Sequence, residues 1–301
     1  MWIGKPGKLT DRIDFLGTEQ NCIHLIRGRE AMLFGGGMSY IAPSLESQFA
    51  TMEFDLEQIK YLVVPHSHFD HCGAVPYLKR KFPWMQILAS SYSKEVFSKD
   101  KVVNVIANIN KEMINRLGLQ DKYEKLDLKF DGIHVDQVVG ENDVIDIGGG
   151  IEAHFMGVPG HTKCSIALYI PKLKAIFPSD AAPCPTMDGS RLTYPTPQYN
   201  FPLYLESLKK LAAYEVEVCS FDHHGAFVGE EAKDILQQGL KRTEEFVNYV
   251  TKEYQQIGDL DKVARKIAEE MFKGSNLDFI DVEGGVNIVR TVILKILDLP
   301  G

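Results

Sequence analysis

The chain has 301 residues, of which 45% are hydrophobic and 25% are charged, a balance that excludes disordered, collagen-like and disulfide-knot proteins. Lysine and arginine total 33 against 41 aspartates and glutamates, so the net charge of −8 disfavours a nucleic-acid or anionic membrane partner. The first residues lack the apolar core of a signal peptide, no later apolar run has the length of a membrane span, and the five cysteines show no CxxC spacing. These features predict a cytoplasmic protein with reduced thiols.

The N-terminal part alternates short apolar segments with glycine-rich turns, which predicts a first series of strands. One of these strands, in IKYLVVPHSH, runs into a polar loop, and a helix follows from about Cys72 to Lys81. Residues 91–118 carry apolar side chains at helical spacing and end at Gly118, so they predict a helical insertion. Its apolar positions are too numerous for one narrow stripe, which leaves two alternatives: an interface in a homodimer, or packing on the C-terminal cap described below.

The second half begins with another series of strand-like segments, from IHVDQVV to AIFPSD, and continues with the amphipathic helix FPLYLESLKKLAAY and the strand VEVCSF. After Gly225 the pattern is only helical, at roughly 229–256, 259–273 and 284–299, with a break in GSNLDFIDVEGG. Two strand series interleaved with helices predict two facing sheets with helices outside, an αββα sandwich of the α/β class. We expect a catalytic domain at 1–228, with the insertion at about 91–118, and a C-terminal helical cap at 229–301.

The string HSHFDH places His66, His68, Asp70 and His71 within six residues at the end of a strand. Alternation aims His66 and His68 to one side, and the loop returns Asp70 and His71 toward the same point. Neutral imidazoles and a carboxylate suit a divalent cation such as Zn, Fe or Mn. The alternative is a surface loop that is merely rich in histidine.

Three residues further along the chain complete the candidate site. His161 follows a glycine and His224 precedes one, each near a strand end where the side chain reaches a loop. Asp180 ends the segment AIFPSD, and an aspartate there is more often a turn residue or a helix cap. Two metals about 3.5–4 Å apart need a bridging carboxylate, however, and Asp180 would supply one. The histidines inside strand-like segments are expected to be structural: His24, His134 and His154.

In this order the residues resemble the motifs of the metallo-β-lactamase superfamily of hydrolases, over about residues 10–230. The resemblance implies two divalent metal ions (Zn, Fe or Mn) in one site. It assigns one metal ion to His66, His68 and His161. The other metal ion is assigned to Asp70, His71 and His224, and Asp180 is expected to bridge the two ions. His223 beside His224 is ambiguous, and His224 is preferred because the family glycine follows its ligand directly. Ser179 stands where the family usually has a glycine before the bridging aspartate.

The insertion and the helical C-terminus are similar in layout to the thioesterase-like quinolone signal response proteins of pseudomonads and, more distantly, to the glyoxalase II family. This similarity implies a small-molecule acyl substrate, a thioester or an ester, cleaved by a hydroxide held between the metals. Asp70 would act as metal ligand and as proton acceptor. The alternatives are a phosphodiesterase or lactonase of the same fold, or a signalling or binding protein that retains the metal site.

Overall fold

The computed structural model describes residues 1–272 and 281–300. In these ranges the strands, numbered β1 to β14 in chain order, are Trp2–Ile3, Gly7–Lys8, Ile13–Gly17, Cys22–Arg27, Ala31–Phe34, Ile59–Val64, Gln86–Ala89, Gln137–Val138, Val144–Asp146, Glu152–Gly157, Ile166–Ile170, Ala175–Phe177, Val218–Ser220 and Ala226–Val228. The α-helices, numbered α1 to α9, are Ala42–Thr51, Val75–Lys81, Ser91–Phe97, Asp100–Arg116, Gln120–Lys125, Phe201–Leu211, Ile235–Ile257, Leu260–Phe272 and Val282–Ile296.

The strands form two seven-stranded sheets, with the order β2-β3-β4-β5-β6-β7-β8 in one and β1-β14-β13-β12-β11-β10-β9 in the other. Strands β5 to β8 pair in parallel, as do β12 and β13, while the remaining pairs are antiparallel. Between the sheets lies an apolar core that includes Phe15, Phe34, Phe155 and Phe177, all with at most 1% of their surface exposed. Helices cover both outer faces, so the predicted αββα sandwich is confirmed.

The predicted insertion helix is two helices, α3 and α4, separated by Lys99 in extended backbone at φ −94° and ψ 110°. Phe97 and Ile106 are both buried in the same apolar cluster. Residues nine apart on one straight helix differ by about 180° in direction, so burying both in one core requires the break. The buried face of α4 packs on the sandwich itself, where the Asn110 side chain accepts hydrogen bonds from the Ser39 backbone N–H at 2.8 Å and hydroxyl at 3.0 Å.

The C-terminal helices α7, α8 and α9 confirm the helical pattern after Gly225 and share an apolar cluster that contains Phe246 and Ile267. The Gln237 side chain on α7 donates a hydrogen bond to the Ala212 carbonyl just after α6, which joins α7 to the sandwich. The predicted break in GSNLDFIDVEGG lies largely outside the described residues. None of the helices described is both long and apolar enough to cross a membrane.

Candidate metal centre

The candidate site forms where several strands end at one edge of the sandwich. His66 and His68 follow β6, Asp180 follows β12 and His223 follows β13, while His161 lies in the connection between β10 and β11. The strands are buried and fixed by their neighbours in the sheets, so the loops that leave them start from rigid positions. Side chains more than 150 residues apart in sequence are thereby brought into one cluster.

Asp180 is at the centre of this cluster. Its Oδ2 lies 3.2 Å from His161 Nε2, 3.3 Å from His71 Nε2 and 3.8 Å from His66 Nε2. Its Oδ1 lies 3.7 Å from His223 Nε2. Asp180 therefore contacts histidines from both sides of the cluster, with three rings around Oδ2 and the ring of His223 facing Oδ1.

The other donors complete two neighbouring groups. His68 Nδ1 is 3.0 Å from His161 Nε2, and with His66 these two rings form one group. Asp70 Oδ2 lies 3.5 Å from His71 Nε2 and 3.7 Å from His223 Nε2, and the two Nε2 atoms are 3.2 Å apart. Two ligand atoms of a tetrahedral zinc site lie about 3.3 Å apart when the bonds to zinc are near 2.0 Å. The distances between the donor atoms of the cluster are close to this value.

The orientation of the rings also fits metal binding. Nδ1 of His161 lies 2.7 Å from the Thr196 carbonyl, and Nδ1 of His223 lies 2.6 Å from the Gln20 carbonyl. An N–H that donates to a carbonyl fixes the tautomer and leaves the Nε2 lone pair facing the cluster. His66 Nε2 is buried, has no hydrogen-bond partner among the described residues and lies among the other donor atoms of the cluster, so its lone pair is available to a cation.

The electrostatics of the cluster favour three neutral imidazoles around a charged carboxylate. Burial lowers the pKa of His66 and His161 and lowers that of His68 to about 3. Burial alone would raise the pKa of Asp180, but the neighbouring His71 and His161 outweigh it and hold that pKa well below its usual value. For His71, burial is outweighed by the Asp70 and Asp180 carboxylates, which raise its pKa. The three neutral rings and the ionised Asp180 are in the protonation states that metal ligation requires, and His71 would release a proton when it binds a cation.

His224 is not in the cluster, so the preference for His224 over His223 is corrected. Its Nδ1 lies 2.7 Å from the Pro185 carbonyl, and its Nε2 is not among the donor atoms that approach one another. The backbone at His224 is left-handed, with φ at +60°, which turns the two adjacent rings apart to a centroid distance of 6.2 Å. In the sequence both histidines stand next to each other before a glycine, and nothing there reports the sign of this dihedral angle.

Two residues behind the cluster, Ser179 and Asp222, also differ from what the sequence suggested. From the sequence, Ser179 is notable only because it stands where the family usually has a glycine, and Asp222 carries no predicted role. In the structure the Asp222 carboxylate lies 3.0 Å from His71 Nδ1 and accepts a hydrogen bond from the Ser179 hydroxyl. The DHH string at 222–224 offered a signal, because a carboxylate beside a ligand is a frequent outer partner of metal-bound histidine.

The remaining histidines lie outside the cluster. His24 is fully buried between the sheets, with Nε2 3.1 Å from the Phe221 carbonyl and Nδ1 3.1 Å from the Ser220 hydroxyl. His154 lies 3.2 Å from Glu152, and the side chain of His134 is 85% exposed. His24 is thus a hydrogen-bonded core histidine, as expected from its place in a strand.

Comparison with known proteins places these features in a family. The profile of the metallo-beta-lactamase superfamily matches residues 17–224. The metallo-beta-lactamase fold-containing protein ST1585 of Sulfurisphaera tokodaii is 26% identical over 194 residues, which cover 64% of this chain and 71% of that protein. Its crystal structure superposes with a TM-score of 0.55 at 19% identity, over 80% of this chain and 84% of that one.

Two further solved structures share the fold. The metallo-beta-lactamase family protein TTHA1429 of Thermus thermophilus superposes with a TM-score of 0.60 at 15% identity, over 95% of this chain and 93% of that one. BJP-1, a subclass B3 metallo-beta-lactamase of Bradyrhizobium japonicum, gives 0.57 at 18% identity, over 82% and 94%. Since the family profile covers more than half of the chain and its histidines and aspartates form one cluster, the protein belongs to the metallo-beta-lactamase superfamily.

Proposed function

We propose that the protein is a metal-dependent hydrolase that holds two divalent cations in this cluster and cleaves a thioester or an ester of a small acyl substrate. The observation that carries the proposal is the position of Asp180 between the two groups of histidines: its Oδ2 lies near one member of each group, His161 and His71, and its Oδ1 faces His223. A carboxylate so placed can bridge two cations and offset their charge. In this proposal one cation takes three histidines and the other takes an aspartate and two histidines, with Asp180 shared: His66, His68 and His161; Asp70, His71 and His223.

Two divalent cations would supply a water of lowered pKa and polarise a carbonyl group. Asp70 belongs to the second group, with its carboxylate within 3.7 Å of His71 and His223, and its side chain is 13% exposed. From there it can accept the proton that the attacking water loses. A thiol leaving group has a pKa near 8.5, so a thioester departs as thiolate with little need for a general acid. A thioester substrate therefore suits this site, where the histidines and carboxylates are proposed metal ligands and none is left as a separate general acid.

A cavity of about 270 Å³ beside the HSHFDH loop is the proposed acyl-binding region. Cys164 lines it and connects it to the cluster, because its sulfur accepts a hydrogen bond from the Ser67 backbone N–H at 3.4 Å. Val139 and Ile166 give the cavity apolar walls, and Lys163 lies 4.6 Å from the centre of the Tyr92 ring at the same cavity. The similarity in layout to thioesterase-like proteins, with an insertion and a helical C-terminus, supports the same substrate class.

The test is a metal analysis followed by a substrate screen on the full chain. Purified protein is reconstituted with Zn, Fe or Mn, bound metal per chain is measured, and acyl-CoA, acylglutathione, lactone and phosphodiester substrates are assayed. We expect two cations per chain and hydrolysis of at least one thioester or ester. Efficient cleavage of phosphodiesters with no detectable thioester or ester hydrolysis would replace the proposal with the phosphodiesterase alternative. A fully metallated protein inactive on all four classes would favour a binding role.

A further inference from the structure

Behind the metal cluster, a buried serine and aspartate connect the two groups of ligands. The Ser179 hydroxyl donates a hydrogen bond to Asp222 Oδ2, and that same oxygen lies 3.0 Å from His71 Nδ1. Ser179 Oγ also lies 3.4 Å from His66 Nδ1. Ser179 and Asp222 are 1% and 3% exposed, so water does not compete for these contacts. One carboxylate and one hydroxyl therefore contact histidines from both groups.

The hydrogen-bond directions in this network fix the tautomers of two imidazoles. The Asp222 carboxylate only accepts, so His71 Nδ1 keeps its proton and a neutral His71 carries its lone pair on Nε2. Because the Ser179 proton is given to Asp222, its oxygen accepts from His66 Nδ1, and His66 Nε2 is likewise left as a lone pair. Both Nε2 atoms face Asp180, at 3.3 and 3.8 Å from its Oδ2.

The backbone at Ser179 indicates that its hydroxyl is needed. Ser179 has φ at +50°, a left-handed conformation that glycine adopts without cost and that a side chain rarely adopts. A residue with a Cβ at such a position requires a compensating interaction. The only polar atom that the side chain contributes is the hydroxyl, and it bonds Asp222 and His66.

The second oxygen of Asp222 gives an independent indication. Asp222 Oδ1 is buried and has no hydrogen-bond partner among the described residues. A buried carboxylate with one unpaired oxygen is unfavourable unless positive charge lies close by. His71 beside the other carboxylate oxygen and cations in the adjacent cluster are the sources of positive charge within reach, whereas Asp70 and Asp180 add further negative charge.

We propose that Ser179 and Asp222 are positioning residues that orient His66 and His71 together, so that the two halves of the centre bind metal as a unit. The inference rests on the metal binding proposed above. It predicts that removal of the Ser179 hydroxyl weakens both cation sites, although Ser179 contacts neither cation position directly. Loss of an outer partner of this kind typically lowers metal affinity by about 10- to 100-fold.

The test compares Ser179→Gly with Ser179→Ala in the full-length protein. Both substitutions remove the hydroxyl, but only glycine relieves the left-handed backbone. Zinc affinity and stoichiometry are measured by competition with a chromophoric chelator, and folding is checked by circular dichroism and thermal unfolding. We expect both variants to fold and to bind zinc about 10- to 100-fold more weakly at both sites. The matched control is Ser93→Ala, which removes another fully buried hydroxyl on α3 and is expected to leave zinc affinity unchanged.

A second readout reports the tautomers directly. The imidazole ¹⁵N chemical shifts of the zinc-loaded wild type are expected to show His66 and His71 protonated at Nδ1. In Ser179→Gly, the shifts of His66 should no longer correspond to this one tautomer. Asp222→Asn, which keeps the size of the side chain but not its charge, should perturb both rings. Wild-type zinc affinity in a folded Ser179→Gly variant would overturn the positioning role alone. Failure of the wild type to bind Zn, Fe and Mn alike would instead refute the metal centre, and this inference with it.

Discussion

Separate alanine substitutions of the adjacent residues His223 and His224 give the sharpest test of the metal centre. His223→Ala removes a ring whose Nε2 lies within 3.7 Å of Asp70, Asp180 and His71. His224→Ala removes a ring that hydrogen-bonds the Pro185 carbonyl. The two substitutions are chemically identical and one residue apart, so each is the control for the other.

For His223→Ala we expect loss of about one metal ion per chain and of activity, together with a loss of stability in the metal-free protein like that of His224→Ala, because the removed ring also bonds a carbonyl, that of Gln20. The removed group is a ligand, and removal of even an outer partner of a metal-bound histidine costs about 10- to 100-fold in affinity. The decrease for a direct ligand should exceed that range.

For His224→Ala we expect a loss of stability without a loss of metal. The lost hydrogen bond contributes about 1 kcal/mol, and truncation of a ring that is only 7% exposed adds about 2 kcal/mol for the cavity. A total near 3 kcal/mol lowers the Tm by about 6 °C in a protein of this size. Bound metal should stay at the wild-type value.

The assay is elemental analysis of dialysed protein together with thermal unfolding in the presence of a chelator. If His223→Ala retains all its metal and His224→Ala loses an ion, the assignment from the structure is wrong and His224 is the ligand. Equal metal loss in both variants would show that the local turn, and not one ring, determines binding.

Three further predictions follow from particular contacts. Asp180→Ala should lose bound metal, because the carboxylate between the two groups of ligands is removed. Elemental analysis checks this, with substitution of the exposed Asp188 by alanine as the control. Retention of two metal ions would show that Asp180 does not bridge them. Burial lowers the pKa of His24 from 6.5 to about 4, so the stability that depends on its neutral form is present above pH 6.5 and is lost as the pH falls to 4. The free energy of unfolding should drop by about 3 kcal/mol across this window. Urea titrations at several pH values measure this decrease, and His24→Gln should make it smaller. Tyr194→Ala should destabilise the protein by about 2 kcal/mol, because its ring stacks 4.3 Å from that of Phe246 on α7, whereas Tyr194→Phe should retain the stability in the same unfolding assay.

Several features of the fold followed from local sequence patterns alone. The β-branched run before His66 and the helical spacing after Gly225 correspond to β6 and to the helices α7, α8 and α9. Short edge strands such as β1 and β2 carry too few residues for a recognisable alternation, so the sequence did not reveal them. The break between α3 and α4 depends on which apolar residues share a core, which is a tertiary property.

The sequence by itself determined the donor types and most of their positions, because HSHFDH and the isolated His161 and Asp180 are strand-end residues whose chemistry suits a divalent cation. Only the tertiary structure places His223 rather than His224 in the cluster, because their positions depend on the sign of one backbone dihedral angle beside a glycine. The joint role of Ser179 and Asp222 was likewise invisible in the sequence. They lie 43 residues apart, and their contact exists only because the parallel strands β12 and β13 end side by side.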